Sequence, residues 1–274
     1  MSAMDTTNNL DAMAELLVEA AIAAGAAIMP IYDGPIDVRE KEDSFPVTAA
    51  DEAAEAVILA SLAERAPAVP VIAEEAVSNG TVPEIGRRFF LVDPLDGTKE
   101  FIARNGEFTV NIALIENGEP VVGAVYAPAI GRLFLGIVGK GARETRIADG
   151  KSGAWHDIAV RNPPTKGLTA VASRSHSSPE TEEFLARLPV TERVAAGSSL
   201  KFCLIAAGEA DIYPRMGRTM EWDTAAGHAV LVAAGGRVML TDGTPLGYGK
   251  RGVDRDMDFA NTAFTAYGTI HCDF

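Results

Sequence analysis

Apolar residues recur at three- and four-residue intervals through an alanine-rich stretch, residues 11–29, which predicts a helix closed by Pro30 and Gly34. Residues 40–46 are polar and turn-like. A second helix is predicted over residues 50–65, with Thr48 as its N-cap and Asp51 and Glu52 in its first turn, where negative charge suits the helix dipole. Short β-like runs follow at residues 69–73 and 88–92, and the second leads straight into Asp93. Residues 107–115 and 120–126 flank Asn117-Gly118, a strong hairpin signal, and residues 132–138 offer a third strand. Residues 139–166 hold glycine, proline and charge without a sustained period. That predicts a division into an N-terminal α+β domain, residues 1–150, and a C-terminal α/β domain, residues 151–274. The second part reads as a strand at 168–173, a polar loop at 174–178, helices at 179–188 and 198–208, and a short strand at 211–213. A helix at 222–234 is closed by Gly235-Gly236.

With 274 residues, 47% of them hydrophobic and 23% charged, the chain is an ordinary folded globule with room for one large core or two modest ones. A net charge of −14 repels nucleic-acid polymers and anionic membranes, so neither is expected as a partner. Two cysteines, Cys203 and Cys272, form no disulfide framework and fit a reducing compartment. The apolar run at residues 20–29 is short, with Glu15 and Glu19 upstream, and reads as a helix rather than a signal peptide or a membrane span. The expectation is a cytoplasmic protein with no integral membrane segment. Loose attachment to the inner membrane face is left open.

Carboxylates stand at element ends in three separate segments: Glu74-Glu75, the pair Asp93 and Asp96, and Asp223. Taken singly each has an ordinary reading, as surface charge, turn acid or dipole partner. The string Asp93-Pro94-Leu95-Asp96-Gly97-Thr98 behind an apolar strand changes the weighing. Mg²⁺ takes oxygen ligands, and two such ions held by a bridging carboxylate can grip one phosphate and activate water. Asp93 is placed to bridge, Asp96 to bind a second ion, and the Leu95 carbonyl to face a metal beside rigid Pro94. Gly97 lets backbone approach a phosphate, the Gly97 and Thr98 amides can donate to it, and Thr98 adds a hydroxyl near the attacking water.

Asp93-Pro-Leu-Asp-Gly-Thr98, with Trp222-Asp-Thr-Ala-Ala-Gly227 further on, resembles the two signature motifs of the inositol monophosphatase superfamily. Within it the chain is most similar to the CysQ type of 3'(2'),5'-bisphosphate nucleotidase. Three stretches carry that likeness: residues 96–115, Gly197-Ser-Ser-Leu-Lys-Phe-Cys203, and Glu221-Trp-Asp-Thr-Ala-Ala-Gly-His-Ala-Val230. The resemblance implies an α/β fold, a layered α/β/α/β/α sandwich of the sugar-phosphatase type. It also implies lithium-sensitive chemistry with two or three Mg²⁺ ions per site. It implies Glu74, Asp93, the Leu95 carbonyl, Asp96 and Asp223 as metal ligands, with Glu74 counted among the catalytic groups. Thr98 and Asp51 would orient and deprotonate the water. Besides the Leu95–Thr98 segment and Asp223, residues His176, Ser198, Lys201 and Arg215 match substrate-contacting positions. Ala76 and the segment after Gly236 depart from the pattern.

On their own physics, Lys201 and Arg215 read equally as solvated surface cations or as phosphate partners. His176 reads more simply as a solvent-facing loop histidine. His228 and Cys203 read as packed residues. The expected reaction is hydrolysis of a small-molecule nucleotide bisphosphate, adenosine 3',5'-bisphosphate, to AMP and phosphate. Its sulfonated relative PAPS is a further candidate, with a place in sulfur assimilation. An inositol or other sugar monophosphatase is the alternative enzyme. A catalytically silent, phosphatase-like regulatory binding protein is the alternative outside enzymes. Monomer and homodimer both stay open.

Overall fold

The computed structural model describes residues 9–35, 38–40, 46–173, 178–252 and 257–270. Its elements run β1 (Val38–Glu40) and β2 (Pro46–Thr48) after helix α1 (Leu10–Asp33), then α2 (Ala49–Arg65), β3 (Val71–Ala73), α3 (Glu74–Ser78), β4 (Arg88–Asp96) and α4 (Thr98–Ile102). Next come β5 (Thr109–Glu116), β6 (Glu119–Ala127), β7 (Arg132–Ile137), β8 (Gly141–Ala148), β9 (Lys151–Ser152) and β10 (His156–Ile158). The remainder is β11 (Leu168–Ser173), α5 (Pro179–Ala186), β12 (Val190–Ala196), α6 (Leu200–Ala206), β13 (Ile212–Arg215), β14 (Thr219–Met220), α7 (Glu221–Ala233), β15 (Arg237–Leu240), β16 (Ala260–Asn261) and β17 (Phe264–Tyr267).

The first sheet has the order β10-β8-β7-β6-β5-β4-β3, antiparallel except between β3 and β4. The second has the order β12-β11-β13-β17-β15, parallel where β11 meets β12 and β13. Helices α1 and α2 cover one face of the first sheet. Helices α6 and α7 fill the space between the two sheets, in an apolar cluster that joins Leu91 and Phe134 of the first sheet to Tyr213 and Phe264 of the second. Helix α5 lies against the outer face of the second sheet, through Phe184 and Leu185. The layers therefore run α/β/α/β/α, as the sequence led us to expect.

Helix α1 buries Met13, Leu16, Leu17, Ala20, Ala21, Ala24 and Ile28, the stripe its period foretells. It begins on Asn9, whose Oδ1 accepts from Asp11 N at 3.0 Å. It also continues through Pro30 to Asp33 instead of stopping there, so the proline costs one backbone bond without ending the helix. Its length and composition would suffice to cross a membrane, but its apolar stripe is part of the core beneath α2 and the first sheet.

Residues 141–158, expected to be irregular, form β8, β9 and β10 and prolong the first sheet. β8 buries only Ala142 and Thr145 and exposes Arg143 and Arg146, with no two-residue apolar period. An outer strand of this kind carries little apolar signal. As a division of the chain we propose a first part ending at Ile158 and a second starting at Leu168, because strand pairing changes sheet there.

Two glycines set how deeply α7 sits. A Cβ on Gly123 of β6 would lie 2.7 Å from Ala229 Cβ, and one on Gly136 of β7 would lie 2.5 Å from Val230 Cα. Only glycine lets the sheet and helix backbones meet this closely.

Candidate active site

The Asp93–Asp96 segment is the end of strand β4. Asp93 pairs with Asn111 and Asp96 with Thr109, so β4 carries one residue more than β5 over this stretch. That is a β-bulge, and it has a consequence for the acids. Residues three apart in a regular strand face opposite sides, whereas the extra residue turns Asp96 toward the side of Asp93. Pro94 fits the bulge, having no N–H to contribute to the ladder. Gly97 then takes a left-handed conformation, φ 90°, and starts α4. Phe101 of α4 packs against Phe108 with ring centres 5.1 Å apart, which fixes the turn to the core.

Asp51 arrives by a different route. Thr48 caps α2, accepting from Ala50 N, and Asp51 Oδ2 accepts in return from Thr48 N at 2.8 Å and Thr48 Oγ1 at 2.7 Å. This is a capping box with aspartate in the third position. Its other oxygen, Oδ1, accepts from Thr98 Oγ1 over 3.5 Å. Glu74 stands in the first turn of α3, directly after β3. Asp223 stands in the first turn of α7, where its Oδ2 accepts from Met220 N at 2.8 Å.

The four aspartates share a pattern. Among the described residues each ties one oxygen firmly to the protein, and only Asp51 bonds through the other, at 3.5 Å from Thr98 Oγ1. Asp93 Oδ1 accepts from Leu95 N at 3.0 Å. Asp96 Oδ2 accepts from Ser198 Oγ at 2.7 Å, Ser199 N at 2.8 Å and Asn111 Nδ2 at 3.3 Å. Thr109 supports this set, since its Oγ1 bonds Asn111 Oδ1 at 2.9 Å and also meets Ser198 Oγ.

Proximity is legible in the electrostatics. Burial, and then the charges of Glu74, Asp96, Asp223 and Asp51, hold the Asp93 carboxyl well above the usual carboxylate range. Burial, then Asp96 and Glu74, do the same to Asp223. Asp96 is raised by burial, although Lys201 and the bonds from Ser198 and Asn111 oppose the rise. Asp51 is pushed up to about 6, by burial first, with Glu74 adding to it against the Thr48 hydrogen bonds.

Two cations face the acids. Lys201, 6% exposed, holds its Nζ 5.3 Å from the centre of the Tyr213 ring. Desolvation pulls it down to about 8, while Asp96, Glu100 and Asp223 resist. Arg215, at the end of β13, donates from Nη2 to the Arg218 carbonyl at 3.3 Å. Its Nε is shut off from solvent without a hydrogen-bond partner among the described residues.

The structure thus brings together Asp51, Glu74, Asp93, Asp96, Thr98, Ser198, Lys201, Arg215 and Asp223. Leu95 sits within the group with its side chain buried, and Gly97 lies with its missing Cβ position 3.4 Å from Ser198 Cβ. His176 lies outside the described residues, as does Cys272. His228 is packed, with Nδ1 2.9 Å from the Tyr248 hydroxyl, and buried Cys203 is a core residue. Asn111, Thr109 and Ser199 were given no role from sequence. The two-residue spacing of Thr109 and Asn111, which puts both on one strand face, was the available sign.

Among the described residues no three carboxylate, imidazole or thiol groups are gathered round a single point as the ligands of a bound ion are. The donor set nevertheless fits a hard divalent cation. Its atoms are carboxylate oxygens, they outnumber the neighbouring cations, and their mutual repulsion is what a cation would relieve.

Comparison with known proteins bears on this geometry. The model of the inositol monophosphatase family matches residues 9–265. The chain is 48% identical over 243 residues to the 3'(2'),5'-bisphosphate nucleotidase CysQ of Escherichia coli strain K12, covering 87% of this chain and 95% of that protein. It is 40% identical over 265 residues to the nucleotidase CysQ of Buchnera aphidicola subsp. Acyrthosiphon pisum, covering 96% of each. Among solved structures, CysQ from Bacteroides thetaiotaomicron superposes with a TM-score of 0.76 at 38% identity, covering 94% of this chain and 97% of that one. Inositol monophosphatase from Anabaena (Nostoc) sp. PCC 7120 superposes with a TM-score of 0.72 at 28% identity, covering 96% and 93%.

Proposed function

The chain belongs to the inositol monophosphatase family, and from that premise we propose that it is a 3'(2'),5'-bisphosphate nucleotidase, releasing phosphate from adenosine 3',5'-bisphosphate to leave AMP. The observation that carries the choice of substrate is the pair Lys201 and Arg215. Lys201 is buried and Arg215 half-buried beside the acid cluster, and Arg215 Nε, itself shut off from solvent, has no hydrogen-bond partner among the described residues. A monoester with one phosphate, held among the acids, gives these cations nothing to bind. A bisphosphate supplies a second dianion for them, and a guanidinium can grip it through two donors. Identity to curated nucleotidases named CysQ supports the same reading.

Enzymes of this family are metal-dependent phosphatases. For this chain we propose Mg²⁺, two or three ions, held by Glu74, Asp93, Asp96 and Asp223 together with the Leu95 carbonyl. When bound they would neutralise the phosphate and the oxygen that leaves it, and favour ionisation of water. The rest falls to the chain's own groups. Thr98 Oγ1 accepts a hydrogen bond from the attacking water and hands its own proton toward Asp51 Oδ1. Burial makes the Asp51 carboxylate more basic than an exposed one, which suits it to take that proton. The water oxygen forms its bond to phosphorus as the bond to the ribose 3' oxygen breaks, and that oxygen takes its proton from solvent. The Gly97 turn brings backbone close to the transferring group, and Ser198 completes the wall beside Asp96. Positioning and charge supply the catalysis, as this chemistry requires. His176 keeps its sequence-based place as a substrate contact.

The test is phosphate release from adenosine 3',5'-bisphosphate and from inositol 1-phosphate, with and without Mg²⁺. Preference for the bisphosphate by at least an order of magnitude in kcat/KM is expected. Preference for the inositol ester would overturn the nucleotidase reading and leave the family assignment standing. The cytoplasm, where the sequence placed the chain, remains our proposal for where it acts.

A further inference from the structure

Ser199 directly precedes α6, a position where a serine hydroxyl ordinarily accepts from the amides of its own helix. It makes no such bond here. Its hydroxyl instead donates to the backbone carbonyl of Asp223 at 2.6 Å, while its N–H donates to Asp96 Oδ2 at 2.8 Å. The residue is 1% exposed, so neither bond competes with water. Asp96 comes from the first sheet and Asp223 from the helix between the sheets. They are brought together by tertiary structure, and Ser199 bonds both. The backbone just before it is strained, with Ser198 held at φ 54° although it is not glycine. Gly197 N is fixed in turn by Glu107 Oε2 at 2.9 Å. The loop is therefore tied down on the side of the first sheet, and the Ser199 hydroxyl adds a hydrogen bond to α7 beside the packing of Phe202 on that helix.

We propose that Ser199 is a positioning residue that sets the separation of Asp96 and Asp223 and thereby the affinity for the divalent cation those two carboxylates share. This rests on the reading of the two acids as metal ligands. Removing the hydroxyl takes away the loop's hydrogen bond to α7 while the N–H keeps its hold on Asp96, and the first turn of α7 stays held through Glu221 and Met220 by Phe259 and Asn261. The spacing between the two carboxylates then loosens without loss of either one.

The experiment is calorimetric titration of Mn²⁺ and of Mg²⁺ into the metal-stripped full chain, for wild type, Ser199→Ala and Ser199→Thr, with melting followed in parallel. Ser199→Ala is expected to weaken one class of sites by about five- to ten-fold, the loss of one hydrogen bond, and to leave the others unchanged. Ser199→Thr, which keeps the hydroxyl, restores the wild-type constant. The metal-free melting temperature of Ser199→Ala falls by only about 2–4 °C, the scale of one lost hydrogen bond, and the KM for the bisphosphate at saturating Mg²⁺ stays close to wild type. Wild-type binding in Ser199→Ala overturns the proposal, as does equal weakening of every site or a Ser199→Thr protein as weak as Ser199→Ala. Absence of cation binding in the wild type would overturn the metal reading beneath it instead.

Discussion

Replacing Gly136 by alanine drives a methyl group from β7 into the backbone of α7, and the structure allows the cost to be worked out. The new Cβ would lie 2.5 Å from Val230 Cα and 2.8 Å from both Ala229 O and Val230 N, where ordinary contact begins at 3.4 Å. Sheet and helix must part by roughly 1 Å, an overpacking strain of about 1–3 kcal/mol. In a chain of this size each kcal/mol lowers Tm by about 2–4 °C. Asp223 lies in the first turn of that helix, so a tilt or lift of α7 moves a proposed metal ligand by a comparable amount. Misplacement on that scale costs on the order of 10²-fold in kcat. The assay pairs thermal melting with phosphate release across a Mg²⁺ titration, and expects a lower Tm, a raised Mg²⁺ requirement and the fall in kcat. Gly86→Ala is the control, because its Cβ would meet nothing within 4 Å. If Gly136→Ala loses stability but keeps kcat within two-fold, the seat of α7 does not govern the chemistry and the reasoning fails.

Three further outcomes follow from the same geometry. Asp93→Asn removes a buried charge that four neighbouring carboxylates disfavour; the metal-free protein should melt higher than wild type, gain nothing from added Mg²⁺, and lose on the order of 10³-fold in turnover. A metal-free Asp93→Asn protein that melts lower would refute the repulsion argument. Lys201→Met should raise KM for the bisphosphate by about 10-fold or more, the scale of a charged hydrogen bond, yet barely change KM for a substrate with one phosphate. An equal rise for both would remove Lys201 from the second phosphate. Burial depresses His228 to about 3, well below the value near 6.5 in an unfolded chain. The unfolded state thus binds the extra proton between those limits, and His228 draws stability down as pH falls from about 6.5 toward 3, by up to about 1.4 kcal/mol per unit. Urea melts of His228→Gln from pH 7 to 4 should show a shallower loss than wild type, and parallel curves would contradict the buried neutral imidazole.

The sequence revealed the parts of the site whose signal is local. Thr48 and Asp51 announce a helix start three residues apart, and α2 begins where they say. Asp93 to Thr98 is dense enough in special residues to stand out. The bulge that aligns Asp93 with Asp96 was not legible, because it is defined by pairing with Asn111 and Thr109 in another strand. Strand β12 was missed for a related reason. It lies at the edge of the second sheet with Thr191, Glu192 and Arg193 exposed, so little apolar alternation marks it. From sequence Ser199 falls inside the helix expected over residues 198–208, whereas α6 starts one residue after it. Its partner, the Asp223 carbonyl, is set by how α6 and α7 pack, where Phe202 would lie 2.7 Å from any Cβ on Gly227.

The capping box of α2 binds two kinds of selection to one carboxylate. Asp51 Oδ2 secures the first turn of a core helix, while Oδ1 is turned to Thr98. Drift at position 51 would therefore be judged twice, once by folding and once by catalysis. A variant that rescued the fold alone, such as glutamate, would set the second oxygen at another reach. The register of α2 along the chain is consequently frozen by chemistry as well as by packing, and an insertion between Thr48 and Asp51 would break both at once.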